Sequence, residues 1–152
     1  MSYRRRGAIY LMCYAGTPYK HARHYLGFAY PDLVGRQADE AILAEIAAAW
    51  HTRITNRRLT PLQAAGVACR IAAHRAGTGA RLTQVLRENG IQARVTRIWT
   101  SATEAHEKAL KDRNDGPALC PLCNPGTRAG TVVIPKRYRR KRRTRRQERI
   151  AA

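Results

Sequence analysis

GAIYLMCYAGTPYKHARHYLGFA, residues 7–29, is the stretch on which the fold turns. Its first part, AIYLMCY (8–14), alternates and is rich in β-formers, which predicts a strand. HYLGFA (24–29) predicts a second strand returning beside it. AGTPYK supplies turn residues between them, so the pair makes a hairpin with a long basic connection. A strand that only filled a core would not be preceded and opened by His21, Arg23, His24 and Tyr25. Either this is a basic surface or it is one wall of a site.

Reading outward, Ala41, Ile42, Glu45, Ile46 and Ala49 follow helical spacing through about Trp50, after an opening at Pro31-Asp32. Thr60-Pro61 is an N-cap followed by N1, starting a second helix that runs through CRIAAH to Arg75-Ala76-Gly77. ARLTQVLRENG predicts a third helix, closed by Gly90. IQARVTRIWT (91–100) predicts another strand. Ser101 and Glu104 have capping-box spacing and open a fourth helix through HEKALKDR. The order β-β-α-α-α-β-α predicts an α+β domain: a small mixed or antiparallel sheet of about three strands with flanking helices.

The 152 residues carry 29 Lys and Arg against 10 Asp and Glu, a formal charge of +19. Such a chain attracts polyanions, and nucleic acid is the expected partner. No apolar run is long enough for a membrane span, and the start of the chain lacks the apolar core of a secretory signal. Four cysteines are too few for a disulfide scaffold in a chain of this size, so a reducing, cytoplasmic setting is expected. No small-molecule cofactor is expected. The ending PKRYRRKRRTRRQERIAA holds ten Lys and Arg and one Glu, which predicts a disordered basic tail over 136–152. Arg137, Arg139, Arg140, Lys141, Arg142 and Arg143 there are set to bind phosphate backbone, with salt-sensitive affinity and no sequence preference.

Ile9-Tyr10 on the first strand and Tyr25-Leu26-Gly27 on the second resemble the paired signatures of the GIY-YIG nucleases. Ala8 stands where that family's first motif has glycine, and Leu26 where the second has isoleucine. HRAGTGARL from His74 resembles the continuation found in a bacterial subgroup. TRIW with the following EAHEKALK segment resembles its last strand and glutamate helix, and LCPLC recurs after that helix. The resemblance covers most of residues 8–124. It implies a nuclease domain over 7–115, a Pro/Gly-rich loop with CxxC over 116–135, and then the tail. Arg36 lies nine residues beyond Gly27, where the family's arginine is expected; Arg70 lies four before His74, the subgroup's arginine–histidine spacing. A helical insertion of about 37–69 accounts for both, and leaves one catalytic place for two arginines, with Arg36 favoured by its distance from the strand.

The chemistry of phosphodiester cleavage asks for the same residue types. It needs an activated water, a cation on the developing phosphorane charge, and commonly a hard divalent metal. Glu107 offers an oxygen ligand to Mg²⁺ or Mn²⁺; Glu104, one turn earlier, can face the same site, but its place in the capping box leaves Glu107 the better ligand. Arg36 or Arg70 offers a planar fork to the phosphate. Tyr10 is the candidate proton acceptor if cations lower its pKa, and Tyr25 stands on the facing strand. His21, His24 and His74 are candidate phosphate contacts, His74 being equally suited to cap a helix C-terminus. Gly27 marks a bulge or admits DNA backbone, and His106 reads as a solvent-side helix residue. Cys120 and Cys123 form half of a Zn²⁺ site, to be completed by a histidine or a second chain; Cys13 and Cys69 read as small buried residues.

These readings converge on a Mg²⁺-dependent DNA endonuclease. A basic nucleic-acid-binding protein that keeps the fold without activity is the alternative, and a zinc-bearing RNA-associated protein is a third.

Overall fold

The computed structural model describes residues 6–14, 23–31, 39–54, 57–77, 81–88, 90–91, 93–113 and 116–126. Arg36, His21 and the basic tail of 136–152 lie outside the described residues.

Strands β1 (Gly7–Cys13) and β2 (His24–Ala29) form the expected antiparallel hairpin, with Tyr10 opposite Gly27 and Cys13 opposite His24. Helix α1 (Glu40–Ala48) is capped by Asp39, whose carboxylate accepts from the backbone N–H groups of Ala41 and Ile42. This helix stops two residues short of Trp50, because Trp50 opens strand β3 (Trp50–Arg53). Helix α2 (Pro61–Arg75) starts at Thr60 with a full capping box to Gln63, as the sequence predicts. Helix α3 (Arg81–Glu88) follows, with Gly90 beyond it at φ 74°, a left-handed conformation that favours glycine. Strand β4 (Arg94–Ala102), helix α4 (Glu104–Arg113) and the short helix α5 (Gly116–Leu119) complete the order.

The fold is α+β, with a mixed sheet of four strands in the order β2-β1-β4-β3. β1 pairs antiparallel with both neighbours, and β3 pairs parallel with β4. The parallel pair needs a crossover, which α2 and α3 provide. The stretch 37–69, expected as helical, therefore contains the edge strand β3 as well as α1 and the start of α2. β3 is four residues long, too short for a periodicity signal. Tertiary packing places it: the Arg97 guanidinium is sandwiched between the rings of Trp50 and Trp99, 4.3 and 4.4 Å from their centroids. The same guanidinium donates to Thr52 Oγ1 and to the Leu119 carbonyl, tying β3 and α5 to β4.

Alternation along the strands sorts the core into two halves. Ala8, Tyr10 and Met12 face Ile42, Ile46, Val67 and Ile71, so α1 and α2 cover one side. Ile9, Leu11, Cys13 and Trp99 face Leu110, Leu119 and Cys120 on the other. Among the described residues no helix is long and apolar enough to cross a membrane.

Two local expectations change at the β4–α4 junction. Ser101 does not cap a helix: it lies buried within β4 at φ 52°. The cap is Thr103, whose carbonyl accepts from the N–H groups of His106 and Glu107. His106 closes the cap by accepting the Thr103 N–H at Nδ1 and bonding its hydroxyl, so it is half-buried rather than solvent-side. Both steps put Glu104 at the first position of α4, without the capping duty assigned to it.

Candidate active site and a thiol cluster on the opposite face

Tyr10 is completely buried, and its hydroxyl lies 2.8 Å from His74 Nε2. The β1–β2 register explains how it fits. A Cβ on Gly27 would fall 2.4 Å from the Tyr10 Cζ and hydroxyl oxygen, so only glycine leaves room for the phenol. The space over Gly27, expected to mark a bulge or receive DNA backbone, is thus filled by Tyr10. Tyr25 stands diagonally across the ladder and packs edge-on against His74, with ring centroids 4.9 Å apart. His74 lies on the buried face of α2, where Thr83 of α3 meets its Nδ1 at 3.2 Å.

One helical turn before His74, Arg70 borders a cleft of about 510 Å³ that is also lined by Tyr25, Tyr30, Glu104, Glu107 and Lys111. The structure therefore brings together Tyr10, Tyr25, His74, Arg70 and Glu107, from four separate elements. Of the two contending arginines, Arg70 is the one placed at the cleft; Arg36 falls outside the described residues. Glu104, the alternative to Glu107 set aside for the cap, also lines the cleft and accepts a hydrogen bond from the Tyr30 hydroxyl.

Burial dominates the electrostatics here. It raises the Tyr10 phenol well above its ordinary range, helped by Tyr25 and opposed by the Arg70 guanidinium. The expected lowering by cations does not prevail, because the ring is enclosed while Arg70 is exposed. His74 is pushed down to about 4, chiefly by burial and then by Arg70, so it is a neutral imidazole at pH 7. Burial also raises the Glu107 carboxyl, with Lys111 pulling it down from 3.7 Å and Glu104 pushing it up. A half-buried carboxyl beside a second one is a group that a cation would stabilise, and its oxygens suit a hard divalent ion.

The reverse face of the same hairpin holds a second constellation. Cys13, His24, Cys120 and Cys123 offer one sulfur or nitrogen each, all within 4.8 Å of one another, a set that could hold a metal ion. Cys13 and His24 are register partners at the last rung of the β1–β2 ladder. Cys120 and Cys123 follow α5, in a turn closed by the Asn124 N–H on the Cys120 carbonyl. His24, expected at phosphate, lies with its Nε2 3.5 Å from the Cys123 sulfur, and Cys13, read as a small buried residue, is buried and also one of the four. Cys69, on α2, stays outside the cluster. Cys120 is held below the usual thiol range, to about 3, first by the hydrogen bond from Cys13; that bond and burial push Cys13 up. The CPLC spacing signalled two of these four residues. Cys13 and His24 are separated from it by about a hundred residues, and only the hairpin register brings them in.

No protein-family model matches the chain, and no curated protein or solved structure matches it.

Proposed function

We propose that the protein is a divalent-metal-dependent endonuclease of GIY-YIG type that hydrolyses DNA phosphodiester bonds. The observation that carries this reading is an open cleft lined by Tyr25, Arg70 and Glu107 from three elements, backed by the buried Tyr10–His74 pair that packs against Tyr25. The net charge of +19 supports a nucleic-acid substrate.

In this reading the Arg70 guanidinium forks onto a non-bridging phosphate oxygen. Water attacks phosphorus, and the P–O bond to the departing sugar breaks. The water's proton leaves to solvent in the open cleft and the departing oxygen takes one from it, while buried Tyr10, bonded to His74 Nε2 and in reach of Arg70, positions the groups at the cleft. Burial and Arg70 disfavour a charge on His74, so it stays neutral at pH 7 and serves to hold the phenol in place. Glu107, with Glu104 one turn away, would hold Mg²⁺ or Mn²⁺, which when bound supplies charge neutralisation at the phosphate and leaving oxygens. The thiol-rich cluster has the wrong donors for Mg²⁺ and suitable ones for Zn²⁺, so the reading takes two different ions on two faces.

Supercoiled plasmid incubated with Mg²⁺ tests it. The parent protein is expected to nick the plasmid, and Glu107→Ala or Arg70→Ala to slow nicking by about 100-fold or more. Comparing Arg36→Ala with Arg70→Ala identifies the arginine that holds the phosphate. A parent protein that binds plasmid tightly but never nicks it sinks the endonuclease reading and favours a binding-only protein of the same fold.

A further inference from the structure

We infer that Cys13, His24, Cys120 and Cys123 form a tetrahedral Cys₃His Zn²⁺ site that staples the mouth of the β1–β2 hairpin to the segment following α5. The inference rests on the zinc reading of the cluster and is independent of whether the opposite face cuts DNA.

Geometry is the first argument. Tetrahedral Zn²⁺, with bonds of about 2.3 Å to sulfur and about 2.0 Å to nitrogen, sets sulfurs about 3.8 Å apart and sulfur from nitrogen about 3.5 Å. Cys13 Sγ lies 3.8 Å from Cys123 Sγ, and Cys123 Sγ lies 3.5 Å from His24 Nε2. Those two separations match two of the six edges of a zinc tetrahedron, and all four ligand atoms lie within 4.8 Å of one another. Thiols left to themselves have no reason to gather so: sulfur is a weak donor and a weak acceptor. Among the described residues the His24 ring has only thiols as hydrogen-bond partners, and its Nδ1 is buried with none.

Donor chemistry is the second argument. Three sulfurs and one imidazole select a borderline-soft ion, and four protein ligands leave no open position, the mark of a structural site. Burial agrees: Cys13 and Cys120 are enclosed, and only Cys123 is exposed.

The connectivity gives the consequence. Cys13 and Cys123 are separated by 110 residues, so the ion would close nearly the whole folded chain into one loop. His24 immediately precedes Tyr25, and Cys13 follows Tyr10 by three residues. Cys120 comes seven residues after the end of α4, the helix that bears Glu107. The staple thus joins the tyrosine strands to the glutamate helix from behind. It also fixes Cys123, thirteen residues ahead of the basic run that begins at Lys136.

The test measures metal, not cleavage. Full-length protein, purified without a metal-affinity step, is expected to carry about one zinc ion per chain. Cys13→Ser and Cys120→Ser should lower that content by about ten-fold or more, while Cys69→Ser keeps it. Cobalt-loaded parent should show the visible absorption of tetrahedral thiolate-bound Co²⁺. Stripping the ion with a chelator should lower the melting temperature by about 10 °C or more. Parent protein that takes up no zinc when supplied with it, and whose four thiols all stay reactive, overturns the site. A bound ion whose removal leaves the melting temperature unchanged overturns the staple. Should the serine variants fail to fold, His24→Cys decides: retained metal with a cobalt spectrum shifted to four thiolates supports the ligand set, and an unshifted spectrum overturns it.

Discussion

Tyr10 and Cys13 sit three residues apart on β1 and face opposite ways, and the regions they enter are held together differently. On the tyrosine face, packing organises the site. α1 and α2 lay Ile42, Ile46, Val67 and Ile71 against the strands, and the functional groups emerge at the rim of that apolar layer. On the thiol face the apolar cover is thinner, with Leu110 and Leu119 its buried helical members, and charged or soft groups do the joining. Arg97 clamps β3 and α5 there, and Cys13, His24, Cys120 and Cys123 gather at the open end of the hairpin. The small helix α5 docks through Leu119 and Cys120 in the core and through the Arg97 bond to the Leu119 carbonyl. One face tolerates local damage by degrees; the other hinges on a few groups.

The largest expected effect separates the faces outright. Glu107→Ala should lose about 100-fold or more in plasmid nicking and keep its zinc, because no thiol is disturbed. Cys120→Ser should lose the zinc, with every group of the opposite cleft still present in the chain. A Glu107→Ala protein that also loses zinc would show that the faces are not independent. Metal analysis and nicking, run on both variants, make the comparison complete.

Gly27→Ala strikes the point where the tyrosine face is most tightly built. The new Cβ would meet the Tyr10 ring at 2.4 Å, and Tyr10 has no free space to retreat into because it is fully buried. Overpacking of this kind costs about 1–3 kcal/mol. The variant should therefore be less stable in urea and should nick poorly, since moving the phenol breaks its 2.8 Å bond to His74. In a Tyr10→Ala background the same substitution should cost much less, a coupling that a double-mutant cycle measures. Equal costs in both backgrounds would place the collision elsewhere.

The positions that were legible in advance explain themselves. The hairpin, the Thr60 cap and the α+β class follow from local signals: alternation, a capping pair, a proline at N1. Tyr10, Tyr25, Glu107 and Arg70 were each visible as residue types, but that Arg70 borders the cleft beside Tyr25 follows only from the path of α2; Arg36 lies outside the described residues. Glu104 was masked by a capping box that never forms, because β4 runs two residues further than its pattern suggested and Thr103 takes the cap. β3 was missed since four residues cannot declare a period, and its strand character comes from pairing with β4 and the Trp50–Arg97–Trp99 stack. The thiol cluster was half legible. CxxC is a local spacing, whereas Cys13 opposite His24 is a register, and register appears only when the strands pair.

Acid should also act through the tyrosine face. In an unfolded chain His74 takes up a proton near its ordinary 6.5, but in the fold only near 4. Burying neutral His74 thus contributes its full stability above pH 6.5, and that contribution is lost as pH falls towards about 4. His74→Gln removes this component, so its stability should decline less than the parent's between those pH values. Urea denaturation at about pH 7 and about pH 4.5 checks the difference. Parallel curves for the two proteins would assign the acid sensitivity to other groups.

The smallest effect expected is at the far end of α2. Thr60 accepts the Gln63 N–H at 3.1 Å, and the Gln63 side chain returns the bond to the Thr60 N–H at 3.3 Å. Removing such a cap costs about 1 kcal/mol. Arg70 and His74 lie in the last two turns of the same helix, held by Val67 and Ile71 in the core, so they should stay in place when the first turn frays. Thr60→Ala is therefore expected to lower the melting temperature by a few degrees while leaving zinc content and nicking close to the parent's. The contrast with chelation is the informative part. One lost cap should be absorbed by the packed layer on its face, whereas one lost ion should release the mouth of the hairpin. If Thr60→Ala proved as damaging as zinc removal, the tyrosine face would not be the redundantly packed half that its apolar contacts describe.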